Sequence, residues 1–256
     1  MINSTFDLSG KSILVTGGNS GIGLGMAEAV AEAGADVCIW SRNEERNKAA
    51  VEKLEKHGHK AFSLVCDVSD QKQTEECFSK TISLLGKVDA CFANAGNAWL
   101  GTPFHEMTLE EWHAIFGVNI DGVFFTLKST LTHMVEQGNG GSIVITSSLS
   151  AKFGMPTGEH YAATKAGVIA IVRSIAVEYS RYGIRANAIL PGWIETNMTA
   201  PLFENEKFVS KILPRIPQRR WGIPRDFGPI ATYFASDASA YHTGDAVVID
   251  GGFSCF

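Results

Sequence analysis

Seven short apolar runs, rich in Val and Ile, alternate with longer segments of amphipathic helical pattern along the 256-residue chain. Runs of this length bounded by turn residues are typical of strands buried on both faces. The predicted strands cover 12–16, 36–40, 61–66, 88–93, 142–146, 185–190 and 246–249. The predicted helices cover about 22–33, 44–57, 71–85, 109–137, 161–182 and 226–235. Strict alternation implies parallel strands joined by right-handed crossovers, so we predict an α/β fold, one doubly wound parallel sheet of about seven strands with helices on both faces.

Composition excludes several classes of function. A net charge of −5 leaves no basic surplus for binding nucleic acid. No apolar run approaches the length of a membrane span, and the N-terminus lacks a signal-peptide pattern. The seven His and five Cys show no metal-ligand spacing, and Cys38, Cys66 and Cys91 are expected to be buried. We therefore expect a cytoplasmic protein with no metal, membrane or nucleic-acid partner.

The first predicted strand runs into a glycine-rich turn and then directly into a helix. The turn is Thr-Gly-Gly-Asn-Ser-Gly-Ile-Gly at positions 16–23. Glycines let the backbone approach a pyrophosphate, which meets the free N–H groups at the helix N-terminus. The spacing differs from the usual Gly-x-Gly-x-x-Gly, and glycines also occur in ordinary strand-to-helix turns. The strand–turn–helix context favours a dinucleotide cofactor.

A second stretch, from Ser147 to Lys165, has the pattern of a reactive centre. Tyr161 and Lys165 are four residues apart, so on a helix they lie on one face. A unit charge about 4 Å away at an effective dielectric of about 20 is worth roughly 4 kcal/mol, or about three pKa units. We therefore expect Lys165 to lower the pKa of the Tyr161 phenol toward neutrality, where it can act as a general acid or base. A Tyr–Lys pair on an exposed helix also arises by chance.

Together these motifs resemble the short-chain dehydrogenase/reductase family from end to end. Thr-Gly-x-x-x-Gly-x-Gly is that family's nucleotide-binding motif, and Tyr-x-x-x-Lys is its reactive motif. The other matches, in chain order, are Asp67-Val68, Asn94-Ala95-Gly96, Asn119, Ser148 thirteen residues before Tyr161, and Pro191-Gly192. The family's Rossmann fold agrees with the predicted sheet.

The resemblance implies a role for each matching residue. Tyr161 would exchange a proton with the substrate oxygen, Lys165 would lower its pKa and hold the nicotinamide ribose, Ser148 would polarise the carbonyl, and Asn119 would support a proton relay. Either Ser147 or Ser148 could face the site, and the family's spacing favours Ser148. The cofactor-binding set implied is Gly17, Asn19, Ser20, Gly21, Ile22, Gly23, Ser41, Arg42, Asp67, Val68, Asn94, Ala95, Gly96, Tyr161, Lys165, Pro191, Gly192, Ile194 and Thr196.

The residues after the second predicted strand bear on the choice of cofactor. An acidic residue there would bind the ribose 2′-hydroxyl of NAD, but this chain has Ser41 and Arg42. An Arg suits a 2′-phosphate, which favours NADP and leaves NAD possible. Alternatively, Ser41 and Glu44 form a helix capping box and Arg42 is a solvated loop residue.

Three segments should wall the substrate cleft: 97–104, 149–158 and a lid at about 193–220. Their large apolar residues are Trp99, Leu100, Phe104, Leu149, Phe153, Met155, Trp193, Met198, Leu202 and Phe203. This lining favours a hydrophobic ketone or secondary alcohol, the substrate of a carbonyl reductase.

Two alternatives remain open at this stage. The first is a 3-oxoacyl thioester carried on acyl carrier protein or coenzyme A. Basic residues near the lid would attract the phosphate of such a carrier. They are Lys211, Arg215, Arg219 and Arg220. The second is a non-catalytic NAD(P)-sensing regulator.

The helices around Asn119 and Tyr161 carry apolar residues on more than one face. This surplus fits the family's homotetramer, a dimer of dimers, and it also fits burial of these faces within one subunit.

Overall fold

The computed structural model describes residues 4–98 and 101–256, and its centre is one seven-stranded parallel sheet. The strands are β1 (Ser12–Thr16), β2 (Asp36–Ser41), β3 (Ala61–Val65), β4 (Ala90–Ala93), β5 (Gly141–Thr146), β6 (Ile184–Pro191) and β7 (Ala246–Ile249). Their order across the sheet is β3-β2-β1-β4-β5-β6-β7. The chain leaves β1 in one direction and resumes at β4 in the other, which opens a crevice at the carboxyl ends of these two strands.

Helices cover both faces of the sheet. They are α1 (Gly21–Glu32), α2 (Glu44–Leu54), α3 (Gln71–Leu85), α4 (Leu109–Phe116), α5 (Gly122–Gln137), α6 (Glu159–Tyr179), α7 (Ala200–Phe203), α8 (Glu206–Ile212) and α9 (Gly228–Ala235). Helices α3, α5 and α6 pack on one face, and α1, α2 and α9 on the other. Successive strand residues alternate between the two faces, as Ile13, Leu14 and Val15 of β1 do. Both faces are therefore apolar cores, which explains the unbroken apolar runs of the strands.

The predicted fold class is confirmed, and the predicted strand ends are displaced by at most two residues. The helix predicted over 109–137 is interrupted by a π-turn at Gly117–Asp121. Residues 55–57 and 180–182 form 3₁₀ turns rather than continuing α2 and α6. The short helices α7 and α8, within the predicted lid at 193–220, were not predicted from the apolar pattern because each spans two turns or fewer.

Much of the apolar surplus on α5 and α6 is buried inside the subunit. Val123, Val168, Val172 and Ile175 are each less than 9% exposed, whereas Phe124 is 54% exposed. Most of these residues therefore belong to the core on that face of the sheet, and they say little about a neighbouring subunit. In the described ranges, no helix is both long enough and apolar enough to cross a membrane.

Candidate functional site

A cavity of about 650 Å³ opens at the carboxyl ends of the strands, where the sheet order reverses. Of the predicted cofactor residues, it is lined by Gly17, Asn19, Ser20, Gly21, Ile22, Ser41, Arg42, Asp67, Val68, Asn94, Ala95, Gly96, Tyr161, Lys165, Pro191, Gly192, Ile194 and Thr196. Ser148 lines it too, while Gly23 and Asn119 lie behind its wall. Residues along the wall that were not assigned to the cofactor include Asn43, Arg46, Cys66, Asn97, Thr146, Asn197, Met198 and Thr199.

The glycine turn between β1 and α1 leaves room that side chains would fill. Gly17 and Gly21 have φ of 65° and 53°, a left-handed backbone that favours glycine. A Cβ atom on Gly23 would lie 2.2 Å from the carbonyl oxygen of Gly17, so Gly23 permits the close packing of the turn. The side chain of Ser20, at the N-cap of α1, makes no capping hydrogen bond. The free N–H groups of the helix therefore face an open cradle, which fits the pyrophosphate of a dinucleotide.

The side chain of Asn94 joins three neighbouring strand ends. Its Nδ2 donates to the Thr16 carbonyl at 3.1 Å, and its Oδ1 accepts from the Thr146 hydroxyl at 3.0 Å. The Thr16 hydroxyl oxygen accepts from the backbone N–H groups of Asn94 and Ala95. Both ends of the Asn94 amide are therefore occupied by protein, so this residue shapes the crevice.

Two arginines lie at the end of the cavity next to β2. The side chain of Arg42 is 70% exposed, and its Nη1 lies 3.9 Å from Asp67 Oδ2. Arg46, one helical turn further on, also lines the cavity. The N-cap of α2 is Asn43, whose side chain accepts from the Arg46 N–H at 2.8 Å, so the suggested Ser41–Glu44 capping box is not formed. Arg46 could have been noticed in the sequence from its i+4 spacing to Arg42.

The two consecutive serines after β5 have different partners. The Ser147 hydroxyl donates to the Lys165 carbonyl oxygen at 2.7 Å and is buried. The Ser148 hydroxyl is close enough to the Tyr161 phenol to lower its pKa, and its Oγ accepts from the Ser150 N–H. The geometry thus pairs Ser148, not Ser147, with the phenol.

The relation between Tyr161 and Lys165 differs from the expected one. Lys165 Nζ lies 5.6 Å from the centre of the Tyr161 ring and donates to the Thr146 carbonyl at 2.9 Å. Burial raises the pKa of Tyr161, opposed in part by the hydrogen bond from Ser148. Burial lowers the pKa of Lys165 to about 8. The predicted lowering of the phenol's pKa is therefore wrong for this arrangement, because desolvation outweighs an ammonium group that lies over the ring.

Asn119 is buried within the π-turn, and its side chain holds the chain that follows β4. Its Oδ1 accepts from the Asn97 N–H at 2.8 Å, and its Nδ2 donates to the Asn97 carbonyl at 2.9 Å. The same Nδ2 donates to the Thr164 hydroxyl at 3.1 Å. A Cβ on Gly96 would lie 3.2 Å from Lys165 Nζ and 3.3 Å from Asn119 Oδ1, so the two polar groups approach each other across a glycine.

Most of the apolar residues predicted to wall the substrate cleft do not line the cavity. Trp193 packs edge-on against Phe208 and Phe253, and Phe203 stacks on Trp221 at 4.2 Å. These rings pack against one another, and of the ten predicted wall residues only Met198 lines the cavity in the described part of the chain. Among the others, Phe104 and Phe153 are exposed and Leu149 is buried. Trp99 and Leu100 lie outside the described residues.

The arginines of the lid are engaged within the subunit. Arg220 forms a two-point ion pair with Asp226, at 2.6 and 2.9 Å. Arg219 donates to the Pro214 carbonyl, and the Arg215 guanidinium lies 4.6 Å from the centre of the Phe253 ring. These guanidinium groups are thus already paired with neighbours. Within residues 4–98 and 101–256, no cluster of three or more His, Cys, Asp or Glu side chains is arranged to hold a metal ion.

Comparison with known proteins identifies the family. Residues 17–254 match the family model described as enoyl-(acyl carrier protein) reductase. The chain is 37% identical over 247 residues to the 3-oxoacyl-[acyl-carrier-protein] reductase FabG of Chlamydia pneumoniae, covering 96% of this chain and 98% of that one.

Solved structures agree along nearly the whole chain. A putative short-chain alcohol dehydrogenase from Sinorhizobium meliloti superposes with a TM-score of 0.94 at 38% identity, covering 98% of this chain and 99% of the other. A gluconate 5-dehydrogenase from Burkholderia cenocepacia, solved with NADP and tartrate, gives a TM-score of 0.93 at 32% identity, with 98% of each chain covered. The chain belongs to the short-chain dehydrogenase/reductase family, whose members are NAD(P)-dependent oxidoreductases acting on CH–OH and C=O groups.

Proposed function

We propose that this protein uses NADP(H) to interconvert a polar, hydroxyl-bearing ketone and its secondary alcohol. The observation that carries the substrate class is the polar lining of the cavity that also holds Ser148 and Tyr161. Asn97, Asn197 and Thr199 contribute to this lining beside the predicted cofactor residues, and Met198 is the one large apolar residue there from the predicted set. Amide and hydroxyl groups can replace the water bonds of substrate hydroxyls, whereas an apolar wall leaves them unpaired. The hydrophobic ketone predicted from the sequence is accordingly not supported.

The proposed chemistry divides between cofactor and protein. A bound NADPH supplies the hydride. The Ser148 and Tyr161 hydroxyls, which line the same cavity, are proposed to donate to the carbonyl oxygen, whose negative charge grows toward the transition state. Because burial raises its pKa, the Tyr161 phenol is protonated at neutral pH and suits the proton donor of the reduction. Asn119 acts through the Asn97 backbone as a positioning residue.

Reduction of a 3-oxoacyl thioester is the second candidate, favoured by the 37% identity to FabG. Such a substrate arrives on a phosphate-bearing carrier, which basic lid residues would attract. Here Asp226 already holds the Arg220 guanidinium, Arg219 donates to the Pro214 carbonyl, and Arg215 lies over the Phe253 ring. These internal contacts leave less positive charge for a carrier and favour the free, polar substrate.

Two further expectations stay predictions. The homotetramer is supported by the exposure of Phe124 on α5 and Val177 on α6, at 54% and 85%. A cytoplasmic location is supported by the unpaired state of all five cysteines, four of them buried.

The first test is a substrate panel with the purified protein. NADPH oxidation would be followed with hydroxylated ketones such as ketoses and keto-acids, with acetoacetyl-coenzyme A, and with aryl ketones. We expect the highest kcat/KM in the hydroxylated group. Tyr161→Phe should lose turnover by about 10²- to 10⁴-fold, the usual contribution of a positioned acid, while keeping NADPH affinity.

A preference for acetoacetyl-coenzyme A would support the second candidate, and a preference for aryl ketones would restore the sequence-based prediction. Tight NADPH binding without turnover on any member would indicate a nucleotide-sensing protein. Wild-type turnover by Tyr161→Phe would remove the proposed proton donor.

The second test concerns the cofactor. Arg42→Asp and Arg46→Ala should each weaken NADPH binding by roughly 10- to 100-fold, the range expected for one charge-assisted hydrogen bond, and leave NADH affinity nearly unchanged. Fluorescence titration with both nucleotides measures this. Arg173→Ala, a change at an exposed position on α6, is the matched control. Equal affinity of the wild type for NADH and NADPH would contradict a role for this arginine pair.

The third test uses the buried Lys165. Its pKa falls from 10.5 in the unfolded chain to about 8 in the fold, so the folded protein binds fewer protons between these values. Stability should therefore rise with pH across this window, and below pH 8 the buried charge costs about 3 kcal/mol. Lys165→Met removes that charge but also its hydrogen bond to Thr146, worth about 1 kcal/mol.

Without added nucleotide, Lys165→Met should thus melt several degrees above the wild type at pH 7. The difference should shrink or reverse at pH 9.5, as the native lysine becomes neutral in the wild type. Thermal unfolding at both pH values measures the two gaps. Lys128→Met on α5, exposed in the fold, should show no such pH-dependent gap. A gap of the same size at both pH values would refute the assignment.

A further inference from the structure

Two thiols lie together beneath the part of the cavity that borders β2 and β3. Cys66 follows β3 and lines the cavity, whereas Cys77 is on α3 behind it. The Cys77 Sγ lies 3.6 Å from the carbonyl oxygen of Val65, the residue before Cys66. Both cysteines are buried in the same apolar core, on the α3 face of the sheet. They are therefore neighbours in space although eleven positions separate them in the sequence.

This pair differs from the other buried cysteines. Burial raises the pKa of Cys38 to about 11 and that of Cys91 to about 12, which makes both thiols unreactive. The pKa of Cys77 is lowered instead, by the neighbouring Cys66 thiol and by the positive charge of Lys80. The pKa of Cys66 is raised by the same contact and by burial. One member of the pair is thus a nucleophile and the other a resolving thiol.

The backbone of Cys66 is tied to both walls of the nucleotide end. Its N–H donates to the Ser41 carbonyl at 3.2 Å. The next residue, Asp67, lines the cavity, and its carboxylate accepts from the Ser69 N–H and hydroxyl. Movement of Cys66 toward α3 would therefore disturb Ser41 and Asp67 together.

We propose that Cys66 and Cys77 are a peroxide-oxidisable thiol pair that lowers the affinity of the protein for its nucleotide when joined as a disulfide. The Cys77 thiolate attacks one oxygen of hydrogen peroxide, the O–O bond breaks, and Cys77 sulfenic acid and hydroxide form. The Cys66 thiol then attacks the Cys77 sulfur, the S–O bond breaks, and water leaves. In sum, two thiols and one peroxide give one disulfide and two waters. A bound nucleotide covers Cys66 and slows the reaction. The inference uses nucleotide binding from the proposed function, but not the identity of the substrate.

The experiment uses the full chain carrying Cys255→Ser, which removes the exposed thiol. The protein is treated with hydrogen peroxide with and without NADP⁺, alkylated, digested and analysed by mass spectrometry. We expect a peptide linking Cys66 to Cys77, forming more slowly when NADP⁺ is bound. The NADPH Kd should rise roughly five- to tenfold, the effect of losing one hydrogen bond, and return after dithiothreitol.

Cys66→Ser and Cys77→Ser, each in the same background, should keep their NADPH affinity after peroxide. Cys91→Ser is the matched control for a buried cysteine away from the pair, and it should respond like the parent. Absence of the linked peptide, or an equal loss of affinity in Cys66→Ser, would overturn the proposal. Since the peptide map needs only the parent protein, the test stands even if a serine variant does not fold. Failure of NADPH to bind the reduced protein would instead count against the proposed function, and the map would still report on the thiols.

Discussion

The Asn94 amide is the interaction on which the rest of the site depends. It fastens the end of β4 to the ends of β1 and β5 at the place where the sheet order reverses. The Thr146 residue that donates to it also accepts, through its carbonyl, the Lys165 ammonium. One network of hydrogen bonds therefore runs from the glycine turn to the reactive helix. Hydrogen bonds of this kind are worth most where water is excluded, as at these buried strand ends.

The same network sets the ionisation of the two reactive side chains. The Lys165 ammonium donates to the Thr146 carbonyl at the strand end, and it lies over the phenol ring, 5.6 Å from the ring centre. Its own charge is destabilised by burial, and the phenol stays protonated. The group that lowers the pKa of the phenol is the Ser148 hydroxyl, and the effect of burial is larger. The protein thus holds a protonated phenol close to a serine.

The sheet could be predicted from the sequence because each strand residue is buried on one face or the other. Each strand is therefore a continuous apolar run that can be recognised locally. The sequence also predicted the glycine turn and the Ser148, Tyr161 and Lys165 positions, through motifs with fixed spacing. It did not predict the π-turn around Asn119, because one extra residue in a helical turn barely changes the periodicity. Nor could it tell that Phe203 meets Trp221, since contacts between segments leave no mark on either segment alone. The prediction of an apolar substrate wall failed because such contacts between segments could not be seen in the sequence.

Ser147 and Ser148 show that neighbouring residues of an extended chain contact different partners. One hydroxyl holds the carbonyl of Lys165, and the other meets the Tyr161 phenol, because side chains alternate in direction along an extended chain. Deleting a single residue from β5 would move Ser148 into the place of Ser147 and Leu149 into that of Ser148, and the phenol would lose its hydroxyl partner. In the loop from 149 to 158, side chains do not alternate in direction in this regular way. A change of length is therefore tolerable in that loop and not in the strand before it, because only the strand fixes which side chains meet the reactive helix.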